Sequence, residues 1–131
     1  AYEISACLVG SEMCIRDSFF DNQVYFNFVD RCRAIGIEVP ILPGLLTITS
    51  HQQAQRFCAM CEAALPEALD QALAAAGDDP AAVEAAGLDW IHEQARELLQ
   101  NGAPGLHLYL LNRAGIALQL IERLKADGLL T

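Results

Sequence analysis

Three side chains of the sequence have types and positions suited to binding a ligand. Gln53 and Phe57 are four residues apart, so they share one face if they lie on a helix. An amide offers both a hydrogen-bond donor and an acceptor, and an aromatic ring packs against another flat group. Arg113 follows an apolar run that ends at Leu111, where a guanidinium can hold a carboxylate or a polar edge of a ligand. Residue type and spacing make these three residues compatible with ligand binding but do not by themselves assign them a ligand.

Each candidate also has an ordinary structural alternative. Gln53 lies three residues after Ser50, which is the spacing of a helix capping box, and capping competes with ligand binding for one side chain. Phe57 is alternatively a core residue, the most frequent place for phenylalanine. Arg113 is alternatively a solvated residue in the first turn of a helix. The positive end of the helix dipole disfavours a cation there, which favours a ligand or a carboxylate as the partner of Arg113.

His107 is a weaker candidate. Together with Tyr109 it alternates with leucines along an apolar run, so both rings point to one face of a predicted strand. A histidine in that setting is most often a satisfied core residue. We therefore expect His107 to support a binding residue from behind rather than to contact a ligand.

The cysteines and the other histidines predict no metal or redox site. Cys58 and Cys61 form a CxxC pair, but the pair lies inside a predicted helix and not at its amino terminus, where the dipole lowers a thiol pKa. Adding His51 or Cys32 gives no standard zinc spacing, and there is no second CxxC pair. His51 and His92 have no partner pattern, so we expect both at the surface.

The elements that must position these residues alternate between short apolar runs and helical patterns from Phe19 onward, which is typical of βα units around a parallel sheet. Chemistry in a barrel of such units lies on the loops after the strands, here after Phe20, Pro43 and Leu111. The elements are predicted as follows.

The predicted strands are Val39–Pro43 and Leu106–Leu111. The predicted helices run from Asp21 or Asn22 to about Ile35, from Ser50 to about Ala64, from Pro66 to Ala76, from Pro80 to Asn101 and onward from Asn112. Gly87 is the weak point of the longest of these helices, which begins at Pro80.

Composition limits the classes of protein that remain. The 131 residues are 53% hydrophobic and 19% charged, which fits one packed soluble domain. A net charge of −9 argues against binding a nucleic acid backbone. No run approaches the roughly 20 apolar residues of a membrane span, and the amino terminus does not resemble a secretory signal. We therefore expect a cytoplasmic protein whose five cysteines are reduced.

The segment from about Phe19 to Leu124 resembles the methylenetetrahydrofolate reductase family. The resemblance rests on FFDNQVYFNFVDRCRAIGIEVPILPGLL, SHQQAQRFCAMCEAALPEAL and GLHLYLLNR, in the family's order and spacing. It implies an α/β fold that comprises the C-terminal βα units, about strands 6–8, of a truncated TIM (β/α)8 barrel. It also implies an oxidoreductase in which NAD(P)H reduces FAD, and the flavin then reduces 5,10-methylenetetrahydrofolate to 5-methyltetrahydrofolate.

The resemblance also assigns roles to the candidate residues. Gln53 matches a glutamine that contacts the folate head group, and Phe57 matches an aromatic residue that packs against folate or nicotinamide in turn. Arg113 matches the arginine that ends the LNR motif. The family's catalytic glutamate and nearly all its FAD contacts lie upstream, so we expect this chain alone to be inactive. The complete enzyme is expected to be a homo-oligomer that binds folate and nicotinamide, without metal, membrane or nucleic acid.

The first 18 residues depart from the family. Asp17 stands by count where the family has a glutamine that contacts folate, and it should not inherit that role. The run SEMCIRDS resembles translated adaptor or vector sequence. We therefore treat residues 1–18 as a non-native segment and residues 19–131 as the C-terminal part of the barrel. A βα unit takes about 30 residues, so this part covers about three units.

Two alternatives to a reductase fragment remain open. The chain is alternatively a truncated folate-binding or structural module without catalysis, which exposed strand edges would make prone to aggregation. It is alternatively part of another FAD-dependent TIM barrel, of the proline dehydrogenase type. The LNR and Pro-Gly motifs favour the methylenetetrahydrofolate reductase family over the proline dehydrogenase type.

Overall fold

The computed structural model describes residues 13–15, 21–60, 65–109 and 114–130. Three strands form one parallel sheet in the order β1-β2-β3: β1 (Met13–Ile15), β2 (Ile41–Leu46) and β3 (His107–Tyr109). The helices of the described residues are α1 (Asn22–Ala34), α2 (His51–Met60), α3 (Glu67–Ala76), α4 (Pro80–Gln100) and α5 (Ala114–Ala126). The predicted α/β class with parallel strands is therefore confirmed.

Strand β2 lies between its two neighbours and pairs with each over half of its length. Residues 41–43 pair with β1, and residues 44–46 pair with β3. The sequence predicts this strand at Val39–Pro43, which is wrong because it stops the strand at Pro43. In the structure Pro43 is the last residue opposite β1, and the pairing with β3 begins at Gly44. A proline without an N–H is tolerated at this change of partner.

Helix α1 confirms its predicted start and end. The carboxylate of Asp21 accepts a hydrogen bond of 2.9 Å from the backbone N–H of Gln23, which caps the first turn. Gly36 follows with a φ of +91°, and the N–H of Ile37 donates to the carbonyl of Cys32 at 2.9 Å. These are the features of a helix that ends in a left-handed glycine.

The phenol of Tyr25 joins α1 to the amino end of β2. Its hydroxyl donates a buried hydrogen bond of 2.8 Å to the carbonyl of Ile41. Burial raises the pKa of Tyr25, and the nearby charge of Arg33 lowers it by a smaller amount. Burial likewise raises the pKa of Cys32, which lies on the same helix. Both groups are therefore held in their neutral forms.

Helix α4 packs on β2 and on Ile48, which lies two residues after the strand, and the small size of Gly87 allows the contact with Ile48. A Cβ atom on Gly87 would lie 2.7 Å from the Cβ of Ile48, closer than side chains normally approach. The glycine is buried, as is Ile48 at 1% exposure. The sequence predicts Gly87 as a weak point of this helix, but its small size is what lets the helix and the chain after β2 pack together.

Two histidines join elements that are distant in the sequence. The Nε2 atom of His51 lies 2.5 Å from a carboxylate oxygen of Asp70, and Nε2 of His92 lies 2.6 Å from one of Asp127. These pairs connect α2 to α3 and α4 to the chain after α5. Both side chains are part-exposed, 28% for His51 and 17% for His92. The sequence shows no partner pattern for them because the two carboxylates lie 19 and 35 residues away.

Alkaline titration of Tyr25 tests the packing of α1 on β2. The raised pKa means that folding favours the neutral phenol, so its contribution to stability is complete below about pH 10 and is lost as the pH rises further. In the intact protein Tyr25→Phe should lower the free energy of unfolding at pH 7 by about 1 kcal/mol, through the lost hydrogen bond.

In chemical denaturation experiments, the difference in free energy of unfolding between the original protein and Tyr25→Phe should become smaller as the pH rises above about 10. Cys32 is present in both proteins and serves as the internal control, since its titration destabilises both equally. A stability difference that stays constant with pH would contradict the buried position of the phenol.

Candidate functional site

The candidate site lies where the chain leaves β2. Residues 47–50 connect the last residue of the strand, Leu46, to the first turn of α2. The carboxyl ends of parallel strands face the same edge of a sheet, and β3 ends beside β2 because Tyr109 pairs with Leu46. The sequence predicts informative residues just after Pro43, whereas the strand continues for three more residues and the loop begins at Thr47.

The side chain of Gln53 is fixed by this loop. The backbone N–H of Gln53 donates to the hydroxyl of Ser50 at 2.9 Å, which caps α2 as the spacing predicts. The amide oxygen of Gln53 accepts from the N–H of Thr49 at 2.8 Å. Its amide nitrogen donates to the carbonyl of Thr47 at 3.2 Å. The two contacts define which end of the amide is oxygen and which is nitrogen.

These contacts leave Gln53 able to bind a ligand. One lone pair of its amide oxygen and one hydrogen of its amide nitrogen are used by the loop. A primary amide has two of each, so one acceptor position and one donor position remain on an amide whose orientation the loop fixes. The sequence predicts a competition between capping and ligand binding, but the geometry allows both at once.

Thr47 connects Gln53 to the neighbouring strand. Its N–H and its hydroxyl both donate to the carbonyl of Tyr109, at 3.2 Å and 3.1 Å. Thr47 is 1% exposed, so the donor groups of these bonds are shielded from water. The carbonyl that receives them belongs to the last residue of β3. The position of Gln53 is therefore tied to the ends of two strands.

The other predicted residues are distributed as follows. Phe57 is half-buried and packs against the core, one helical turn after Gln53. The ring of His107 is exposed and lies 4.7 Å from the ring of Tyr109 in an edge-to-face arrangement, so the predicted shared face is confirmed. Asp17 and Arg113 lie outside the described residues, and their predicted roles stay predictions.

The described part of the chain lacks the groupings of residues that a metal site or a membrane-spanning helix requires. No three of its His, Cys, Asp and Glu side chains are grouped closely enough to hold a metal ion. Within the CxxC pair, Cys58 is buried in α2, and Cys61 lies outside the described residues. No helix among the described residues combines the length and apolar character that crossing a membrane requires.

Comparison with known proteins identifies the family. The sequence profile described as methylenetetrahydrofolate reductase matches residues 4–125, which is nearly the whole chain. The chain belongs to the methylenetetrahydrofolate reductase family. The matched range begins inside residues 1–18, and the foreign origin of that segment stays a prediction.

Several relatives carry the reductase name. Methylenetetrahydrofolate reductase (NADH) 1 of Arabidopsis thaliana is 34% identical over 103 residues, which cover 79% of this chain and 17% of that protein. A probable methylenetetrahydrofolate reductase (NADPH) of Caenorhabditis elegans is 32% identical over 94% of this chain and 19% of its own length. The 5,10-methylenetetrahydrofolate reductase of Escherichia coli is 30% identical over 88% of this chain and 39% of its own. The chain thus spans less than two fifths of these relatives.

Substitution of Gly87 tests the packing of α4 against Ile48 in the loop of residues 47–50. Gly87→Ala places a Cβ atom against Ile48, so it should destabilise the intact protein by about 1–3 kcal/mol, as overpacking does. The matched control is Gly115→Ala on α5, where an added Cβ meets no atom within 4 Å. The control should be neutral or stabilising by up to about 1 kcal/mol, because alanine favours a helix. Equal stability of the two variants in urea denaturation would show that the close packing is absent.

Proposed function

We propose that this chain is part of the catalytic barrel of a methylenetetrahydrofolate reductase, comprising about strands 6–8, and that it supplies part of the folate-binding wall. In the complete enzyme, 5,10-methylenetetrahydrofolate would be reduced to 5-methyltetrahydrofolate with NAD(P)H as the reductant and uptake of one proton, through bound FAD. Family membership supports the reaction. The observation that supports the binding role is the oriented amide of Gln53 at the carboxyl end of β2.

Gln53 is the residue of this chain that is best placed to bind the folate head group. The edge of a pterin carries hydrogen-bond donors and acceptors side by side, and the two remaining positions of the Gln53 amide are one of each. Because the backbone at Thr47 and Thr49 already sets the orientation of the amide, binding does not have to order it. The side chain therefore selects a matching edge at a small entropic cost.

Phe57 and Arg113 complete the proposed wall. The ring of Phe57 lies on the same helix one turn from Gln53, where it can pack against the flat ligand that the amide holds. Arg113, which follows β3 in the sequence, supplies a cation for a carboxylate or polar edge. His107 is assigned to a supporting position beside Tyr109 and not to ligand contact.

The part of the chain around Gln53 fits folate better than FAD. The pyrophosphate of FAD needs cationic side chains or free backbone N–H groups, and residues 47–53 contain no lysine or arginine. The backbone N–H of Thr49 and that of Gln53 are already bonded within the loop. We therefore assign FAD binding to residues other than this loop, nearly all of them upstream, and expect the chain alone to lack activity. When bound, FAD supplies the hydride transfer.

Variants of Gln53 test the proposed function in the complete reductase. Gln53→Ala should lower the folate-dependent rate by roughly 5-fold to 100-fold, because it leaves polar groups of a buried ligand unpaired. Oxidation of NAD(P)H with an artificial electron acceptor should be unchanged, since that half-reaction does not need folate. The matched control is Gln55→Ala, an exposed glutamine on the same helix, which should leave both half-reactions unchanged.

A second substitution separates ligand binding from capping. Gln53→Glu keeps an acceptor for the N–H of Thr49, and glutamate serves well in a capping box. It removes the amide donor to the ligand and also the bond to the carbonyl of Thr47, while the Ser50 cap on the backbone N–H of Gln53 is kept. Folate turnover should therefore fall, and the loss of the Thr47 bond should lower the free energy of unfolding by about 1 kcal/mol. Normal folate kinetics in Gln53→Glu, or equal losses of both half-reactions in Gln53→Ala, would assign this residue to capping alone.

A further inference from the structure

Thr47 is a polar residue in an otherwise apolar stretch. The chain from Ile41 to Ile48 reads ILPGLLTI, and Thr47 is 1% exposed. A buried hydroxyl costs free energy unless it is hydrogen-bonded, and a valine of the same shape would avoid that cost. The hydroxyl therefore needs a physical explanation that packing alone does not give.

The hydroxyl contacts the last residue of the neighbouring strand. Its Oγ1 donates to the carbonyl of Tyr109 at 3.1 Å, beside the bond of 3.2 Å from the N–H of Thr47 to the same oxygen. One carbonyl thus receives two bonds from one residue. Since β2 ends at Leu46, this backbone bond lies just beyond the last paired residue of that strand, where pairing opens most easily.

The backbone carbonyl of the same threonine faces Gln53. It accepts the amide hydrogen of Gln53 at 3.2 Å, so a shift of Thr47 moves one of the two points that orient this amide. The other point, the N–H of Thr49, lies two residues further along the same loop. The Thr47 hydroxyl therefore fixes the end of β2 against the end of β3. It also fixes the position of the Thr47 carbonyl, which accepts from the Gln53 amide.

We propose that Thr47 is a positioning residue for folate binding: its hydroxyl locks the carboxyl ends of β2 and β3 together and so aims the amide of Gln53. The proposal rests on the folate role of Gln53 proposed above. Thr47 itself does not touch the ligand. Its effect reaches the ligand through the backbone at residue 47 and the side chain of Gln53.

Two substitutions of Thr47 in the complete reductase distinguish the effect of its hydrogen bond on folate binding from the effect of its packing. Thr47→Val keeps the shape and removes the hydrogen bond, and Thr47→Ser keeps the hydroxyl. Thr47→Val should raise the folate KM by roughly threefold to tenfold, the range for the loss of one buried hydrogen bond, with oxidation of NAD(P)H by an artificial acceptor unchanged. Thr47→Ser should stay within about twofold of the original KM, because it retains that bond.

Tyr25→Phe is the matched control for a general loss of stability. It removes one buried bond from a side-chain hydroxyl to a backbone carbonyl at the opposite end of β2, where Tyr25 contacts Ile41. It should lower the melting temperature by an amount similar to that of Thr47→Val but leave the folate KM unchanged. If Tyr25→Phe raises the folate KM as much as Thr47→Val, the effect is general loosening and the proposal is overturned.

A double-mutant cycle tests whether Thr47 acts through Gln53. In the Gln53→Ala background, Thr47→Val should change the folate KM by less than about twofold, because the amide that it aims is absent. Full additivity of the two effects would overturn the proposal. So would an unchanged KM in Thr47→Val when Gln53→Ala impairs folate turnover. If Gln53→Ala has no effect on folate turnover, the proposed function itself fails.

Discussion

The arrangement of the site depends on the hydrogen bonds between the Gln53 amide and the backbone of residues 47 and 49. These bonds orient the side chain, and together with the Ser50 cap they decide where α2 begins. The loop that supplies them is held from two directions. The carbonyl of Tyr109 holds Thr47, and Ile48 packs against Gly87 of α4. The amide of Gln53 is thereby positioned by the ends of two strands and the face of one helix.

The sequence predicts those features of the fold that are encoded within a few residues. The start of α1 follows from capping by Asp21, the start of α4 follows from Pro80 at its first position, and the end of α1 follows from Gly36. The limits of β2 were not predictable in the same way, because strand pairing depends on neighbours far away in the chain. Pro43 suggests an early end, and only the register with β1 and β3 shows why the strand tolerates it.

Part of the candidate site follows from the resemblance to a family, and part is seen only in the folded structure. Gln53 and Phe57 were found because their types and spacing match a family, although the contacts that orient the amide were not visible. Thr47 was missed because a threonine in an apolar run is typical of any strand. Gly87 is visible in the sequence because a glycine destabilises the interior of a helix. The structure explains its presence by the close approach of Ile48, which leaves no room for a Cβ atom.

The most direct test of this account is a crystal structure of the complete reductase with folate bound. The account predicts that the Gln53 amide keeps its contacts with the backbone of Thr47 and Thr49. Both amide atoms should also lie within about 3.2 Å of polar atoms of the pterin, the distance of ordinary hydrogen bonds. A folate whose polar atoms all lie beyond about 4 Å from the amide, while these loop contacts persist, would contradict it. Gln53 would then serve only to begin α2.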